Sequence, residues 1–112
     1  MAQTIIRGAG VIPGMREIVR IGHKHLCPLQ GACPLGHGMT EVVTGSPTCH
    51  IKGIPIARIG DRISCGAEIV TGSRRARIDD NRPVARLGDL TYHPVCQVQG
   101  ELIEGEPDWK LE

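Results

Sequence analysis

The sequence predicts an all-β fold, and three observations lead to this prediction. The 112 residues include 15 Gly and 8 Pro, a content that opposes long helices and favours short strands joined by tight turns. The aromatic residues are one Trp and one Tyr, with no Phe, so the core must be thin and built from small aliphatic side chains. A strand-and-turn unit also occurs three times along the chain. Such repetition predicts a small three-sided cone of short β-hairpins with pseudo-threefold symmetry.

Each copy of the unit has two recognisable elements. The first, an acidic residue followed by two aliphatic residues and then a glycine turn, reads EVVTGSPT at 41–48, EIVTGSRR at 68–75 and ELIEGEPD at 101–108. The second reads VRIGHKHLC at 19–27, ARIGDRISC at 57–65 and ARLGDLTYH at 85–93. Short aliphatic runs bounded by Gly and Pro are typical of β-strands. Each second strand therefore leads through a glycine turn to Cys27, Cys65 or His93.

The three equivalent ends are expected to converge. Cys27 and Cys65 are 38 residues apart, whereas Cys65 and His93 are 28 apart. The excess lies in the insertion PLQGACPLGHGM, which contains Cys33 and His37. Three similar units that cannot each bury a face alone can do so by closing round a pseudo-threefold axis. The alternative is a stack of hairpins in a small sandwich, with the Cys and His side chains packed inside it.

The cysteine and histidine content favours a metal site over a disulfide framework. Five Cys is an odd number, and the first residues show no signal peptide, so we expect synthesis and folding in the cytoplasm. A small domain with a weak core usually needs a stabilising element of this kind. The candidate ligands are His23, His25, Cys27, Cys33, His37, Cys65 and His93.

Position in the repeat narrows the candidate ligands. Structural zinc takes four Cys or His ligands, and Cys65 and His93 occupy equivalent ends, with His37 the last polar group before the second copy. The fourth ligand is either His25 or Cys27, because alternate residues of an extended segment point the same way. Cys49 and His50 are not matched by Cys or His in the other copies, and Cys96 has no counterpart, so we expect none of the three to bind metal. We expect Cys49 in the core and His50 on the surface.

The motifs oppose an enzyme. The chain has no HExxH, no HxE with PCxxC and no CxxC, which removes the common signatures of zinc hydrolysis, deamination and thiol redox chemistry. Five candidate ligands for four places favour a closed, structural zinc site.

Charge also excludes some partners. The net charge is +1, so no overall field attracts the protein to nucleic acid. Arg74, Arg75 and Arg77 form a basic run, but they lack the neighbouring aromatic side chains that stack on bases. The repeated Arg20, Arg58 and Arg86 are expected to be structural and to pair with Asp61 and Asp89 or with loop carbonyls.

The repeated motif resembles a known family. The runs PIARIGD at 55–61 and PVARLGD at 83–89 resemble the PAAR repeat, and the resemblance extends over residues 19–93. It implies a cone of short strands with one Zn²⁺ near the vertex. Carried over to this chain, the zinc ligands are His25, His37, Cys65 and His93, with Cys27 as the rival of His25. The implied domains are an N-terminal extension at 1–18, the PAAR-repeat domain at 19–93, and a degenerate third strand with an acidic C-terminal tail at 94–112.

The resemblance also implies a function. Proteins of this family cap the tip of a trimeric β-helical spike, such as the VgrG proteins of type VI secretion systems. The chain is therefore predicted to be a non-enzymatic tip, one copy per VgrG-type trimer, for membrane piercing and delivery of an effector. It would touch the target membrane transiently and be exported on the spike to the periplasm or cytosol of a target cell. The alternatives are the tip of a phage or phage-like contractile tail and, from another class, a small intracellular metal-handling module.

Overall fold

The chain folds into short strands, as its Gly and Pro content predicts. The structure, a computed structural model, describes residues 6–7, 15–26, 39–94 and 96–111. These residues form strands and turns without a helix, and so none of their segments is a helix that could cross a membrane. The strands are β1 (Ile6–Arg7), β2 (Arg16–Ile18), β3 (Lys24–Leu26), β4 (Met39–Glu41), β5 (His50–Ile51), β6 (Ile54–Pro55), β7 (Glu68–Ile69), β8 (Arg77–Ile78), β9 (Arg82–Pro83), β10 (Leu90–His93), β11 (Val98–Leu102) and β12 (Glu106–Leu111).

The strands form small antiparallel sheets. The largest has the order β4-β3-β11-β10-β7, and a three-stranded sheet has the order β1-β12-β2. The pairs β5–β6 and β8–β9 are separate hairpins. In the first of these, Lys52 and Gly53 form a two-residue turn with φ of 52° and 78°, the left-handed conformation that a tight hairpin requires.

A closed ring of three backbone hydrogen bonds defines the pseudo-threefold axis. The N–H of Ala57 donates to the carbonyl of Val19 at 2.9 Å, that of Ala85 donates to Ala57 at 3.0 Å, and that of Val19 donates to Ala85 at 3.1 Å. These residues are at the same position of the three copies, and all are fully buried. A stack of hairpins cannot close such a cycle. The prediction of an all-β, three-sided cone with pseudo-threefold symmetry is therefore confirmed.

A second ring runs parallel to the first. In each copy, the N–H of the aliphatic residue after the repeated arginine donates to a carbonyl of the next copy: Ile21 to Pro55 at 3.1 Å, Ile59 to Pro83 at 3.0 Å, and Leu87 to Glu17 at 2.7 Å. The following glycines, Gly22, Gly60 and Gly88, all have φ between 87° and 93°. L-residues with a side chain rarely adopt this conformation, so the same residue type is needed at all three turns.

Two small clusters of aliphatic side chains make the core. The first surrounds the axis and consists of Val19, Val42, Ala57, Ile63, Ala67, Ile69, Ala85 and Leu102. The second lies among the hairpins and consists of Ile18, Ile51, Ile56, Ala76, Val84 and Leu111, with Cys49, Ile78 and Trp109 packed against it. We call the region of the second cluster, with the β5–β6 and β8–β9 turns, the hairpin end.

The third hairpin is assembled from the two ends of the described chain. Strand β12 pairs with β2 through Lys110↔Glu17 and Leu111↔Arg16, in the same register as Ile51↔Ile54 in the β5–β6 hairpin. Residues 106–111 lie in the 94–112 span predicted to hold a degenerate third strand and an acidic tail, and they form a strand whose Leu111 is fully buried. Their acidic start is compatible with this position because Glu106 pairs with Arg20 and Lys52.

Candidate metal centre

The candidate ligands that the structure describes lie on one side of the five-stranded sheet or beside it. Strand β3 carries His25 and β10 carries His93, and both side chains are buried, with 1% and 2% of their surface exposed. Cys65 is a free, half-buried thiol that packs against the axial core cluster. In both strands successive side chains alternate between a buried and an exposed face. The side chains of His25 and His93 lie on the buried face.

His93 contacts the turn that contains Cys65. Its Nε2 lies 2.9 Å from the carbonyl oxygen of Cys65, and the N–H of Cys96 donates to its Nδ1 at 3.2 Å. A carbonyl only accepts and an amide only donates, so the proton of the neutral ring is on Nε2. The structure thus brings together His93 and Cys65, two of the predicted ligands.

His25 lies one strand further and contacts two hydroxyl groups. Its Nδ1 is 2.9 Å from Thr40 Oγ1, and its Nε2 is 2.6 Å from Thr91 Oγ1. Thr91 is fully buried and lies two residues before His93 on β10. A Cβ atom at Gly100, opposite Thr91, would lie 2.6 Å from His25 Nε2. The close approach of β3, β10 and β11 at this point therefore requires glycine.

The described residues do not by themselves complete a metal site. No group of three or more His, Cys, Asp or Glu side chains among them could hold a metal ion. His37, Cys27 and Cys33 lie outside the described residues, so the predicted set of four ligands is not tested. The described members of this set are His25, Cys65 and His93. Their imidazole and thiol groups are of the chemical types that bind zinc.

The other cysteines and histidines have distinct environments. Cys49 is free, half-buried and packed against the cluster at the hairpin end, and the neighbouring His50 is exposed, as the sequence analysis predicted. Cys96 is disulfide-bonded. This bond was not predicted from the sequence, because an odd number of cysteines and the absence of a recognised signal peptide favoured a metal site over a disulfide framework.

The repeated arginines are structural in two copies, as predicted. Arg58 donates from Nε to Asp61 Oδ2 and from a terminal nitrogen to Asp61 Oδ1, both at 3.1 Å. Arg86 and Asp89 have the same arrangement, at 3.1 and 3.0 Å. Each aspartate also accepts a backbone N–H from its arginine. The hydrogen bond with Asp61 raises the pKa of Arg58, so this guanidinium is always charged.

The first copy replaces the aspartate with a histidine. The N–H of Arg20 donates to Nδ1 of His23 at 3.1 Å, and the Arg20 guanidinium donates to Glu106 at 3.2 Å. Burial lowers the pKa of His23, and the nearby Arg20 charge lowers it further. His23 is therefore a neutral acceptor for a backbone N–H, which is a structural role, and the carboxylate that balances Arg20 comes from β12.

Sequence reasoning missed the threonines that contact His25. Counting by the 38- and 28-residue spacings places His25, Ile63 and Thr91 at one position of the repeat, and Cys27, Cys65 and His93 two residues later. Aligning the copies at every residue would therefore have indicated that His25 meets Thr91 near the axis. Thr40 could not be found this way because it follows the insertion.

The fold and the site define a small all-β protein in which one chain imitates a threefold assembly and places Cys and His residues near its axis. The family model of the PAAR motif matches residues 4–71, more than half of the chain, and the protein belongs to the PAAR motif family. Membership associates it with the spike tips of type VI secretion systems and contractile tails, whose PAAR proteins are structural components that associate with spike proteins. No match was found among curated proteins.

Proposed function

We propose that this chain is the zinc-stabilised tip of a trimeric VgrG-type β-helical spike, bound as one copy per trimer. The observation that carries the proposal is the closed ring of hydrogen bonds among Val19, Ala57 and Ala85. A monomer with threefold backbone geometry matches the symmetry of a trimer, whereas an ordinary monomer does not. The end of a β-helix exposes unpaired strand edges, and a partner of matching symmetry can face all three subunits at once.

Zinc would hold together the chain segments that meet near the axis. When bound, Zn²⁺ crosslinks Cys and His residues from different parts of the sequence and so contributes directly to folding stability. Cys65, His93 and His37 are the ligands that we propose for three of the positions. His93 is already placed against the Cys65 turn, although its ring must exchange the bond to the Cys65 carbonyl for one to the metal.

The fourth ligand is either His25 or Cys27, and the structure supplies a reason to test both. Both ring nitrogens of His25 have a threonine hydroxyl within hydrogen-bond distance, so ligation would cost one of these bonds. Cys27 is the repeat equivalent of Cys65 and His93. Zinc content of His25→Ala and Cys27→Ser, prepared from zinc-containing medium, separates the two: the true ligand is the one whose loss lowers the content well below one ion per chain.

The function is tested by the stoichiometry of the complex with a trimeric spike. The chain should be mixed with a trimeric VgrG-type spike protein, and the complex weighed by native mass spectrometry. One chain and one zinc ion per three spike chains supports the proposal. A complex with equal numbers of the two chains contradicts the symmetry argument. In the cell, such a tip is made in the cytoplasm and leaves it on the spike, with an effector, through the membrane of a target cell.

A further inference from the structure

We propose that the hairpin end carries three equivalent strand edges, of which the chain's own β1 covers one and strands of the spike cover the other two. This inference rests on the proposed function, because the spike is its partner. It concerns the outer edges of β5, β8 and β12. His50, Arg77 and Lys110 are at the same position of these three strands. On the inner side, they pair with residues of β6, β9 and β2, respectively.

The backbone of His50 faces away from its own hairpin. His50 pairs with Pro55, which has no N–H to donate. The next N–H, that of Ile56, donates to the carbonyl of Cys49 at 3.0 Å. In an antiparallel ladder the intervening pair is then of the non-hydrogen-bonded type. The N–H and C=O of His50 consequently point outward, along the open edge of β5.

The same argument holds for Arg77 in the next copy. It pairs with Pro83, and the N–H of Val84 donates to the carbonyl of Ala76 at 3.0 Å. The carbonyls of the opposite residues, Pro55 and Pro83, accept from Ile21 at 3.1 Å and from Ile59 at 3.0 Å. The side chains of His50 and Arg77 are both exposed. The chain therefore presents two equivalent edges with an outward donor and an outward acceptor each.

The third edge is already covered. The carbonyl of Glu17 accepts from Leu87 at 2.7 Å, which turns it away from β12, so that the Lys110 backbone also faces outward. There it pairs with Ile6 of β1, and Arg7 pairs with Trp109. Lys110 is buried, with 9% of its surface exposed, unlike His50 and Arg77. Strand β1 thus demonstrates that an antiparallel strand fits on this type of edge.

The occupants of the two open edges follow from symmetry. A trimeric β-spike offers three equivalent strand ends, and unpaired edges accept a strand by main-chain hydrogen bonding. Two spike subunits would each add a strand, at β5 and at β8, while the third subunit meets the edge that β1 has filled. The tip is then bound through two augmented strands rather than three, and β1 marks the position of the third subunit.

Proline substitutions test the edges with little effect on the free chain. Among backbone groups, His50→Pro and Arg77→Pro remove only an outward N–H, and proline is tolerated on an edge strand. The side-chain hydrogen bond from Arg77 to the carbonyl of Asn81, at 3.3 Å, is lost in the proline and the alanine variant alike. Their matched controls are His50→Ala and Arg77→Ala, which keep the N–H. We expect each proline variant to weaken binding to the trimeric spike at least tenfold and each alanine variant to bind within about twofold of wild type. Thermal unfolding of the free variants verifies that they are folded.

Hydrogen exchange provides a second measurement on the free chain. The Lys110 amide should exchange slowly, and the His50 and Arg77 amides fast. Removal of residues 1–8 should make the Lys110 amide fast as well, and addition of the spike should protect His50 and Arg77. Proline variants that bind as tightly as the alanine variants, or slow exchange of His50 and Arg77 in the free chain, would overturn the assignment of the edges. A wild-type chain that binds no trimeric spike would instead contradict the proposed function itself.

Discussion

The Arg58 guanidinium joins two aspartates from different copies of the repeat. It donates to Asp61 at 3.1 Å and to Asp79 at 2.8 Å, and it also donates to the carbonyl of Gly45 at 3.3 Å. Asp61 is buried, with 3% of its surface exposed. One side chain thus links the second strand of a copy to its own glycine turn and to the β8–β9 turn of the next copy.

Replacement of Arg58 should therefore strongly destabilise the fold. Arg58→Ala leaves Asp61 as a buried carboxylate without its main partner, and the expected loss is on the order of 3 kcal/mol in the free energy of unfolding. Arg62→Ala is the matched control, since Arg62 is 61% exposed and its only ion pair is at 4.0 Å among the described residues. The control should change stability by less than about 1 kcal/mol. Equal urea midpoints for the two variants would contradict this structural role.

The sequence predicted the threefold symmetry of the fold, but it did not predict that β12 pairs with β2 to complete the third hairpin. Repetition of Gly22, Gly60 and Gly88 and of the residues around them was enough to predict three like units round an axis, because equal sequences adopt equal turns. It was not enough to place β12, whose residues alternate poorly between polar and apolar and whose partner β2 lies at the other end of the chain. The contact of His25 with Thr91 was missed for a related reason, since it joins different residue types at equivalent positions.

Gly100 should not tolerate any side chain. An added Cβ would lie 2.6 Å from His25 Nε2, 2.7 Å from the carbonyl oxygen of Leu26 and 2.9 Å from Thr91 Oγ1. The carbonyl belongs to the backbone of β3 and cannot move without disturbing the sheet. We expect Gly100→Ala to cost about 1–3 kcal/mol, measured by chemical denaturation. Gln99→Ala, on the exposed face of the same strand, is the control, and a similar small effect of both would show that β3 is more distant than described.

Acid should weaken the third hairpin through Glu106. The hydrogen bond from Lys52 lowers the pKa of Glu106, and that from Arg20 lowers it further. A carboxyl group whose pKa is lower in the folded state stabilises the fold above its ordinary pKa, and the contribution is lost as the pH falls through the lowered value. Glu106→Gln should therefore be less stable than wild type by about 1–2 kcal/mol at neutral pH, with the difference shrinking below about pH 4.5.

The control for this prediction is Glu101→Gln, which changes an exposed carboxylate on β11. Its difference from wild type at neutral pH should be small, because the side chain is exposed. Thermal unfolding measured from neutral pH to about pH 3 is sufficient. A Glu106→Gln difference that stays constant or grows in acid would refute the role assigned to the Arg20 and Lys52 pairs.

The Cys96 disulfide should make stability depend on redox conditions. A disulfide typically stabilises a fold by about 2–4 kcal/mol, and the backbone N–H of Cys96 also donates to His93 Nδ1. Reductant should lower the unfolding temperature of wild type but have no effect on Cys96→Ser. Cys49→Ser, which alters a free thiol, should keep the response to reductant. If peptide mapping without reductant finds Cys96 as a free thiol, the bond does not form in solution.

Loss of zinc should be specific to the residues near the axis. Cys65→Ser and His93→Ala each remove a proposed ligand from a region that has only small aliphatic side chains for its core, so we expect both variants to lose bound zinc and to unfold at much lower temperature. His50→Ala and Cys49→Ser change the same residue types at the hairpin end, where no ligand is proposed, and should retain one zinc ion per chain by elemental analysis. Because Cys65 and His93 also contact each other without metal, stability must be compared in zinc-loaded and chelator-treated samples. A wild-type protein whose stability is unchanged by chelation, despite complete removal of zinc, would assign these residues to core packing alone.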